Sequence, residues 1–269
     1  MSFRVVEISS PKNAILQDIR QAAARGRPTE EGLFVAEGPH LAQELLASKW
    51  QLEKLILTTK ALERWESYAR QRSIEIIIVP ERTLTRIAQT ETSQGVIALA
   101  RPRMAQWVDL LGDQGLIVVL DGLQDPGNAG TIIRSAEAFG AAGVALLRNS
   151  VHLSNGKLIR ASAGSVFRVP VCEGFDADEF LSRAQAAHLR LLSLDSAGER
   201  RLADARFDSP CALIVGNEAH GISPELRGAV SETIAVKTHK VESLNAAVAC
   251  SIALYEAGRQ REIDEPLRS

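Results

Sequence analysis

The chain has 269 residues, of which 45% are hydrophobic and 24% charged, and its net charge is −2. This length fits one large domain or two modest ones, and the near-zero charge excludes a strongly basic nucleic-acid-coating protein. Residues 1–106 carry 15 Lys and Arg against 12 Asp and Glu (+3), and the remainder carries 16 against 21 (−5), so any polyanion is predicted to meet the N-terminal part.

The first hundred residues alternate between helical and strand patterns. The predicted order is helix 9 or 10 to 24, strand 32–38, helix 39–47, strand 52–57, helix 60–72, strand 74–79, helix 81–88 and strand 95–100. This alternation is typical of a small three-layer α/β domain. Residues 101–108, which begin Arg-Pro-Arg, are predicted to link two domains, 1–105 and 106–269.

Two features of this N-terminal part are candidates for RNA contact. Lys12, Arg20, Arg25 and Arg27 cluster in sequence, as a phosphate-binding patch would, although an ordinary charged surface explains them almost as well. The polar loop 90–95 either contacts a substrate or only turns the chain.

The rest of the chain predicts a parallel α/β sheet. Continuous apolar runs at 115–121 and 211–215 are typical of strands buried on both faces. Further strands are predicted at 143–147, 166–171, 190–194 and 234–236, with helices at 131–139, within 149–163, and at 176–187. A last helix, apolar on nearly every side, follows Ser243 and Asn245.

Three strand ends carry small polar sets: Asn128 with Arg134, Gly216 with Glu218, and Ser243 with Asn245. Ligands of open α/β sheets bind beyond the carboxyl ends of the strands, so a site is expected here. Each set also has a purely structural interpretation. Asn128 would cap a helix that has Arg134 on its first turn, Glu218 would cap a helix starting near Pro224, and Ser243 or Asn245 would cap the last helix.

Other kinds of site find little support in the sequence. No Ser/His/Asp order, glycine-rich dinucleotide fingerprint or metal-ligand spacing occurs, which disfavours a nucleotide-dependent oxidoreductase. Cys172, Cys211 and Cys250 are scattered in apolar contexts and are interpreted as free thiols of a reducing compartment. Neither a signal peptide nor a run of ~20 apolar residues is seen, so we expect a cytoplasmic protein without a metal or a membrane partner.

The three polar stretches resemble, in order, the three motifs of the SpoU (TrmH-type) RNA 2′-O-ribose methyltransferases. They read DPGNAGTIIR at 125–134, GNEAHGIS at 216–223 and SLNAAVA at 243–249. The joint order makes this resemblance specific, and it covers about residues 115–258. Residues 1–100 resemble, less specifically, the small substrate-binding domain that many members carry.

The resemblance implies a knotted (trefoil) C-terminal domain, a homodimer and S-adenosylmethionine as cofactor. It implies that cofactor contacts come from the backbone around Gly216, Ala235 and Leu244. It implies that the reaction site is lined by Asn128, Arg134, Glu218, Ser243 and Asn245. Arg134 is the candidate to activate the ribose 2′-hydroxyl, and because arginine rarely loses its proton we expect electrostatic activation.

One stretch departs from the family pattern. Members usually have Ile-Pro-Met and then a glycine shortly before the third motif, whereas this chain reads Ala-Val-Lys-Thr-His-Lys at 235–240. The leading hypothesis is methylation of a ribose in ribosomal RNA, preferred over transfer RNA by analogy with relatives that have an added N-terminal domain. The alternatives are a transfer RNA methyltransferase and a non-catalytic RNA-binding factor that uses the knot as a dimerisation scaffold.

Overall fold

The computed structural model describes residues 3–90, 92–112 and 115–261. The chain forms two compact units. The first unit comprises Met1–Arg103 together with His152–Arg168, and the second comprises Met104–Val151 together with Val169–Ser269. The predicted division at residues 105 and 106 did not include the excursion of 152–168 into the first unit.

The first unit is built on a five-stranded mixed sheet. Its strands are β1 (Val5–Glu7), β2 (Phe34–Glu37), β3 (Gln51–Leu57), β4 (Glu75–Ile78) and β5 (Val96–Arg101). Its helices are α1 (Ala14–Arg25), α2 (Pro39–Ala47), α3 (Thr59–Arg72), α4 (Glu81–Ile87) and α6 (Gly156–Ala161). The sheet order is β1-β4-β3-β5-β2, in which β4 runs parallel to β1 and β3, and β5 runs antiparallel to β3 and β2. The predicted α/β alternation is confirmed.

Helix α1 begins later than the sequence predicted because Asn13 is its N-cap. The Asn13 side chain accepts the backbone N–H of Ile15 at 3.0 Å, which satisfies one of the unpaired donors of the first turn. The helix buries Leu16 and Ile19 at helical spacing. It ends at Gly26, whose φ of 61° is the left-handed conformation typical of a helix C-terminus.

Strand β1 was not predicted. It has three residues at the edge of the sheet, where Val5 and Glu7 are exposed and Val6 is half-buried. Its pairing with β4 places Val5 beside Ile76. A segment this short shows too little alternation of apolar and polar residues to be recognised without its partner.

The second unit is built on a seven-stranded sheet. Its elements are β6 (Leu116–Leu120), α5 (Pro126–Ala138), β7 (Gly143–Leu147), β8 (Val171–Phe175), α7 (Ala177–Ala186), β9 (Arg190–Leu194), β10 (Arg200–Arg201), β11 (Cys211–Val215), α8 (Pro224–Arg227), β12 (Glu232–Ala235) and α9 (Ala246–Gln260). The strand order is β10-β12-β9-β11-β6-β7-β8. Every pairing is parallel. The predicted parallel sheet is therefore confirmed, and its central strands β6 and β11 are buried throughout, as their apolar runs indicated.

The strand predicted at 166–171 is wrong. Residues 165–167 form a turn of 3₁₀ helix, and strand β8 begins only at Val171. Val166 and Phe167 are apolar because they are buried within the first unit, where the Phe167 ring packs edge-on against Trp50 at 5.0 Å between centroids. Burial outside a sheet produced the same sequence signal as a buried strand.

Polar contacts also hold the excursion 152–168 in the first unit. The Ser154 hydroxyl donates to the carbonyl oxygen of Gly26 at 2.7 Å. The buried Glu37 carboxylate lies 4.0 Å from the Arg160 guanidinium and accepts the backbone N–H of Gln89 at 2.7 Å. A buried carboxylate needs such partners, and the excursion supplies the cationic one.

None of the helices in the described ranges is long and apolar enough to cross a membrane.

Candidate active site

Helix α5 begins five residues before its predicted start. Asp125 is its N-cap and accepts the backbone N–H of Asn128 at 2.8 Å. Pro126 occupies the first helical position, where its missing N–H is no loss. Asn128 is therefore not the cap, and Arg134 lies in the third turn and not in the first, so both of those interpretations are wrong. The Asn128 side chain is left free to form other contacts.

Asn128 joins the three polar stretches by direct hydrogen bonds. Its Nδ2 donates to Glu218 Oε1 at 2.8 Å, and its Oδ1 accepts from Asn245 Nδ2 at 2.9 Å. Asn245 is also the N-cap of α9, as predicted, and its Oδ1 accepts the N–H groups of Ala247 and Val248 at 3.0 and 3.2 Å. Both amides thus use a donor and an acceptor, which fixes their orientation.

The loop that carries Glu218 is a tight turn closed on itself. Asn217 and Gly221 exchange two backbone hydrogen bonds, each 2.9 Å long, and Asn217 Nδ2 donates to the carbonyl oxygen of Gly122 at 2.9 Å. A Cβ atom at Gly216 would lie 2.3 Å from the carbonyl carbon of Gly221, so only glycine fits there. Glu218 is bound to Asn128, and its interpretation as the cap of α8 is wrong, because Ser223 occupies that position.

A cleft of about 570 Å³ opens beside this loop. It lies beyond the carboxyl ends of β9, β11 and β12, where ligands of parallel sheets bind. The walls are formed by residues 194–196, 215–221, 236, 243–246 and 249. Gly216, Glu218, Ser243, Leu244 and Asn245 all contribute to this lining, so five of the predicted site residues surround one cavity.

Two predicted residues lie elsewhere in the second unit. Arg134 is exposed on α5 and forms no hydrogen bond or ion pair with any described residue. Ala235 is 1% exposed at the end of β12, and its neighbour Val236 lines the cleft. The cofactor role expected of the backbone around Ala235 stays a prediction.

Sequence reasoning missed two further groups of this region. Asp195 and Ser196 line the cleft directly after β9. The buried Asp121 carboxylate accepts the backbone N–H of Ser223 at 2.6 Å, which ties the end of β6 to the start of α8. The rule that sites form at strand ends would have found Asp195 and Ser196, because the strand at 190–194 was predicted correctly.

None of the three thiols lines this cleft. Burial raises the pKa of Cys172 and of Cys250 to about 12, and it also raises the pKa of Cys211. All three are therefore protonated near neutral pH and are poor nucleophiles and metal ligands. Within 3–90, 92–112 and 115–261, no group of three or more His, Cys, Asp or Glu side chains is placed to hold a metal ion.

Each unit of the chain contains a stretch that matches a known protein family. Residues 115–255 match the SpoU rRNA Methylase family, and residues 13–98 match the MRM3-like substrate binding domain. An uncharacterized tRNA/rRNA methyltransferase of Mycobacterium avium is 33% identical over 76% of this chain and 70% of its own length. The 23S rRNA (guanosine(2553)-2′-O)-methyltransferase of Bacillus subtilis is 28% identical over 93% of this chain and 98% of its own length.

A solved structure gives the same result for the fold. The AdoMet-bound rRNA methyltransferase of Sinorhizobium meliloti superposes with a TM-score of 0.85 at 29% identity. The match covers 95% of this chain and 98% of that protein. The chain belongs to the SpoU family of RNA methyltransferases.

Proposed function

We propose that this protein transfers a methyl group from S-adenosylmethionine to a ribose 2′-hydroxyl of RNA, with ribosomal RNA preferred to transfer RNA. The observation that carries the proposal is the hydrogen-bonded chain Glu218–Asn128–Asn245 at the edge of the 570 Å³ cleft. A bonded chain of this kind positions groups before the substrate arrives, which lowers the entropic barrier to reaction.

The cleft fits the proposed cofactor in size and in the chemistry of its walls. Its volume lies within the roughly 300–1,000 Å³ typical of small-molecule sites. Gly216 presents bare backbone to it, Leu194 and Leu244 supply apolar surface, and Asp195 supplies a carboxylate for a cationic or hydroxyl group. When bound, S-adenosylmethionine supplies an electrophilic methyl group. Gly216, Leu244 and the backbone at 235–236 would hold it.

The polar side chains then orient the accepting ribose. Asn128 fixes the Glu218 carboxylate at the cleft edge, and Asn245 fixes Asn128 in turn. The exposed Ser243 hydroxyl, which lines the same cleft, can donate to a ribose oxygen. These groups position the 2′-hydroxyl without acting as nucleophiles themselves.

Arg134 is proposed to activate the 2′-hydroxyl electrostatically. Its exposed guanidinium has no carboxylate partner in the described part of the chain, so its charge is available to an RNA phosphate or to the developing alkoxide. The guanidinium charge favours ionisation of the hydroxyl, and the hydroxyl proton passes to solvent water, to which this side chain is exposed.

The preference for ribosomal RNA rests on similarity. The Bacillus subtilis relative is named for 23S rRNA and is similar over 93% of this chain, including the first unit. Transfer RNA is the alternative, and a cytoplasmic location follows from either substrate. A non-catalytic RNA-binding factor would have no need of the bonded chain, so the intact Glu218–Asn128–Asn245 set disfavours it.

A homodimer and the trefoil knot are part of the same proposal. Val248, Ile252 and Tyr255 are 47%, 38% and 57% exposed, and their spacing places them on one face of α9. The Tyr255 ring packs edge-on against Phe139 at 5.7 Å between centroids, which extends the apolar surface to the end of α5. Exposed apolar stripes of this kind mark protein interfaces, and we propose a second copy of the chain as the partner.

The dimer is tested by Ile252→Asp, with Ile15→Asp on α1 as the matched control because Ile15 is 40% exposed. Sedimentation velocity should show a dimer for the wild type and the control, and a monomer for Ile252→Asp. A wild-type monomer, or a dimer that survives Ile252→Asp, would contradict the proposed interface.

The activity is tested by transfer of tritiated methyl groups from S-adenosylmethionine to unmodified ribosomal and transfer RNA. Arg134→Ala is expected to lower kcat by about 100-fold or more while cofactor binding in calorimetry stays unchanged. Arg206→Ala is the control, because its guanidinium pairs with the exposed Asp208 on the surface, away from the cleft. Label in transfer RNA alone would contradict the proposed preference for ribosomal RNA. Absence of both label and cofactor binding would favour the non-catalytic RNA-binding factor.

A further inference from the structure

The first unit contains a cleft of its own, of about 390 Å³. It lies where β3 ends at Leu57 and where the loop 92–95 leads into β5. The first turn of α3, helix α4 and the start of α2 complete its walls. Leu84 and Val96 give it an apolar floor, whereas Ser93 and Gln94 place polar side chains at its edge.

The clearest sign of a ligand here is the Thr58 hydroxyl. Thr58 is only 7% exposed and lines the cleft, yet its hydroxyl forms no hydrogen bond with any residue that the structure describes. Thr58 is the N-cap of α3, and it leaves the usual capping bond unmade. The hydroxyl reaches the cleft and is therefore open to a hydrogen bond with a group from outside the chain.

Gly95 keeps this hydroxyl accessible. A Cβ atom at position 95 would lie 2.9 Å from Thr58 Oγ1, so a side chain there would fill the space in front of the hydroxyl. Gly95 has a φ of 81°, a conformation that other residues adopt only with strain. Gly95 thus allows the backbone to turn before β5 and leaves space in front of the Thr58 hydroxyl.

Trp65 forms an aromatic wall of the same cleft. The residue is 1% exposed, and its indole N–H has no hydrogen-bond partner among the described residues. Because the protein covers almost all of the ring, only its edge is open to a ligand in the cleft. The Thr58 hydroxyl and this indole edge favour a ligand that is rich in hydrogen-bonding atoms.

Positive charge lies at the mouth of the cleft. Arg64 lies over the Trp65 ring at 5.6 Å and forms no ion pair in the described ranges. Lys60 is 3.6 Å from the Glu81 carboxylate, but both side chains are largely exposed, at 86% and 75%, so this pair is weak. The first N–H groups of α3 add to the positive potential. The mouth therefore suits a phosphate.

We propose that this cleft binds one unstacked nucleotide of the RNA substrate, with the base against Thr58 and Trp65 and the phosphate at Arg64 and Lys60. The proposal rests on the proposed RNA methyltransferase function and gives the first unit a specific part in it. Sequence-specific RNA recognition reads bases that have left the stack, and the mixed lining of this cleft suits such a base better than a duplex. The excess positive charge of residues 1–106 also favours RNA as the ligand of this part of the chain.

The test uses the full-length protein with Thr58→Val and Arg64→Gln. Thr59→Val and Arg72→Gln are matched controls, since both residues are exposed on the same helix and neither lines the cleft. Methyl transfer to a 23S rRNA transcript should show KM for RNA raised about tenfold in each cleft variant with kcat within threefold of wild type. Cofactor affinity should be unchanged. KM values equal to those of the controls would overturn the proposal.

A second measurement does not depend on catalysis. Ultraviolet cross-linking of the same transcript, prepared with 4-thiouridine, should label a peptide that contains residues 58–65, and Thr58→Val should reduce that label. If the wild type cross-links there but transfers no methyl group, the proposed activity fails and the cleft proposal stands. If it transfers methyl groups without that cross-link, the cleft proposal fails and the activity stands.

A free mononucleotide would offer this cleft the same base and phosphate as a nucleotide within RNA. Equilibrium dialysis with AMP, GMP, CMP and UMP distinguishes these two ligands. Weak binding that the transcript displaces supports an RNA nucleotide in the cleft. Tight mononucleotide binding that the transcript leaves undisturbed would overturn it in favour of a free nucleotide.

Discussion

The polar groups of the two clefts differ in whether they are hydrogen-bonded to the protein. In the second unit, Glu218, Asn128 and Asn245 are bonded to one another, and Asn245 also caps a helix. In the first unit, the Thr58 hydroxyl and the Trp65 indole N–H have no partner among the described residues. The first arrangement fixes side chains before any ligand binds, as the proposed catalysis requires, whereas the second leaves two polar groups open to the proposed ligand. Substitutions in the two clefts should therefore have different effects.

The largest loss of stability is expected for the glycine that lines the cleft of the second unit. In Gly216→Ala the new Cβ would lie 2.3 Å from the carbonyl carbon of Gly221, and backbone cannot move aside as a side chain can. The free energy of unfolding should fall by about 3 kcal/mol or more, with loss of cofactor binding. Chemical denaturation and calorimetry measure the two effects. A variant as stable as wild type would show that the loop 216–221 is not rigid.

Breaking the bonded chain should have the next largest effect. In Asn128→Asp the side chain can no longer donate to Glu218, and two carboxylates then face each other at the former 2.8 Å bond. We expect kcat to fall about 100-fold, and because the bond is exposed to solvent the free energy of unfolding should fall by no more than ~1 kcal/mol. Methyl-transfer kinetics and urea denaturation provide the readouts. Unchanged kcat would mean that the chain is structural only.

Gly95→Ala in the first unit should lower the free energy of unfolding by less than Gly216→Ala does. Its Cβ would meet the side-chain oxygen of Thr58 at 2.9 Å, and a side chain can rotate away. The left-handed φ of 81° adds strain of about 1–2 kcal/mol. The expected result is a modest loss of stability with a raised KM for RNA. Equal losses of unfolding free energy in the two glycine variants would contradict the proposed difference between the clefts.

The smallest effect on stability is expected for Thr58→Val. Since the hydroxyl has no hydrogen-bond partner among the residues that the structure describes, its removal breaks none of the described hydrogen bonds. The free energy of unfolding should therefore change by less than about 0.5 kcal/mol or rise. Asn128→Leu, measured beside it, should lower the free energy of unfolding by up to ~1 kcal/mol, because it breaks the two solvent-exposed hydrogen bonds to Glu218 and Asn245. Denaturation midpoints that agree for the two variants would contradict the comparison.

The sequence predicted the parts of the fold that depend on local patterns. Helix α2 has the predicted bounds because Pro39 marks its first turn, and the buried strands β6 and β11 have unmistakable apolar runs. The second and third motifs predicted much of the lining of the cleft in the second unit, and Asn128 of the first motif is hydrogen-bonded to two residues of that lining. These features need only a few neighbouring residues to be recognised.

What the sequence did not predict depends on contacts between distant segments. The start of α5 was placed too late because its capping residue, Asp125, belongs to a stretch interpreted as loop. The run at 166–171 was taken for a strand because burial against Trp50 gives the same apolar pattern. The cleft at Thr58 was not foreseen either, because Gly95 meets Thr58 only after β3 and β5 pair.

The excursion 152–168 has a consequence for the order in which the protein folds during synthesis. The first unit lacks the Phe167 ring beside Trp50 and the Arg160 cation beside Glu37 until residue 168 has left the ribosome. By then β6 and β7 of the second unit have already been made. The two units are therefore not completed one after the other, and a fragment that stops at residue 105 would expose a carboxylate and an indole that the full chain covers.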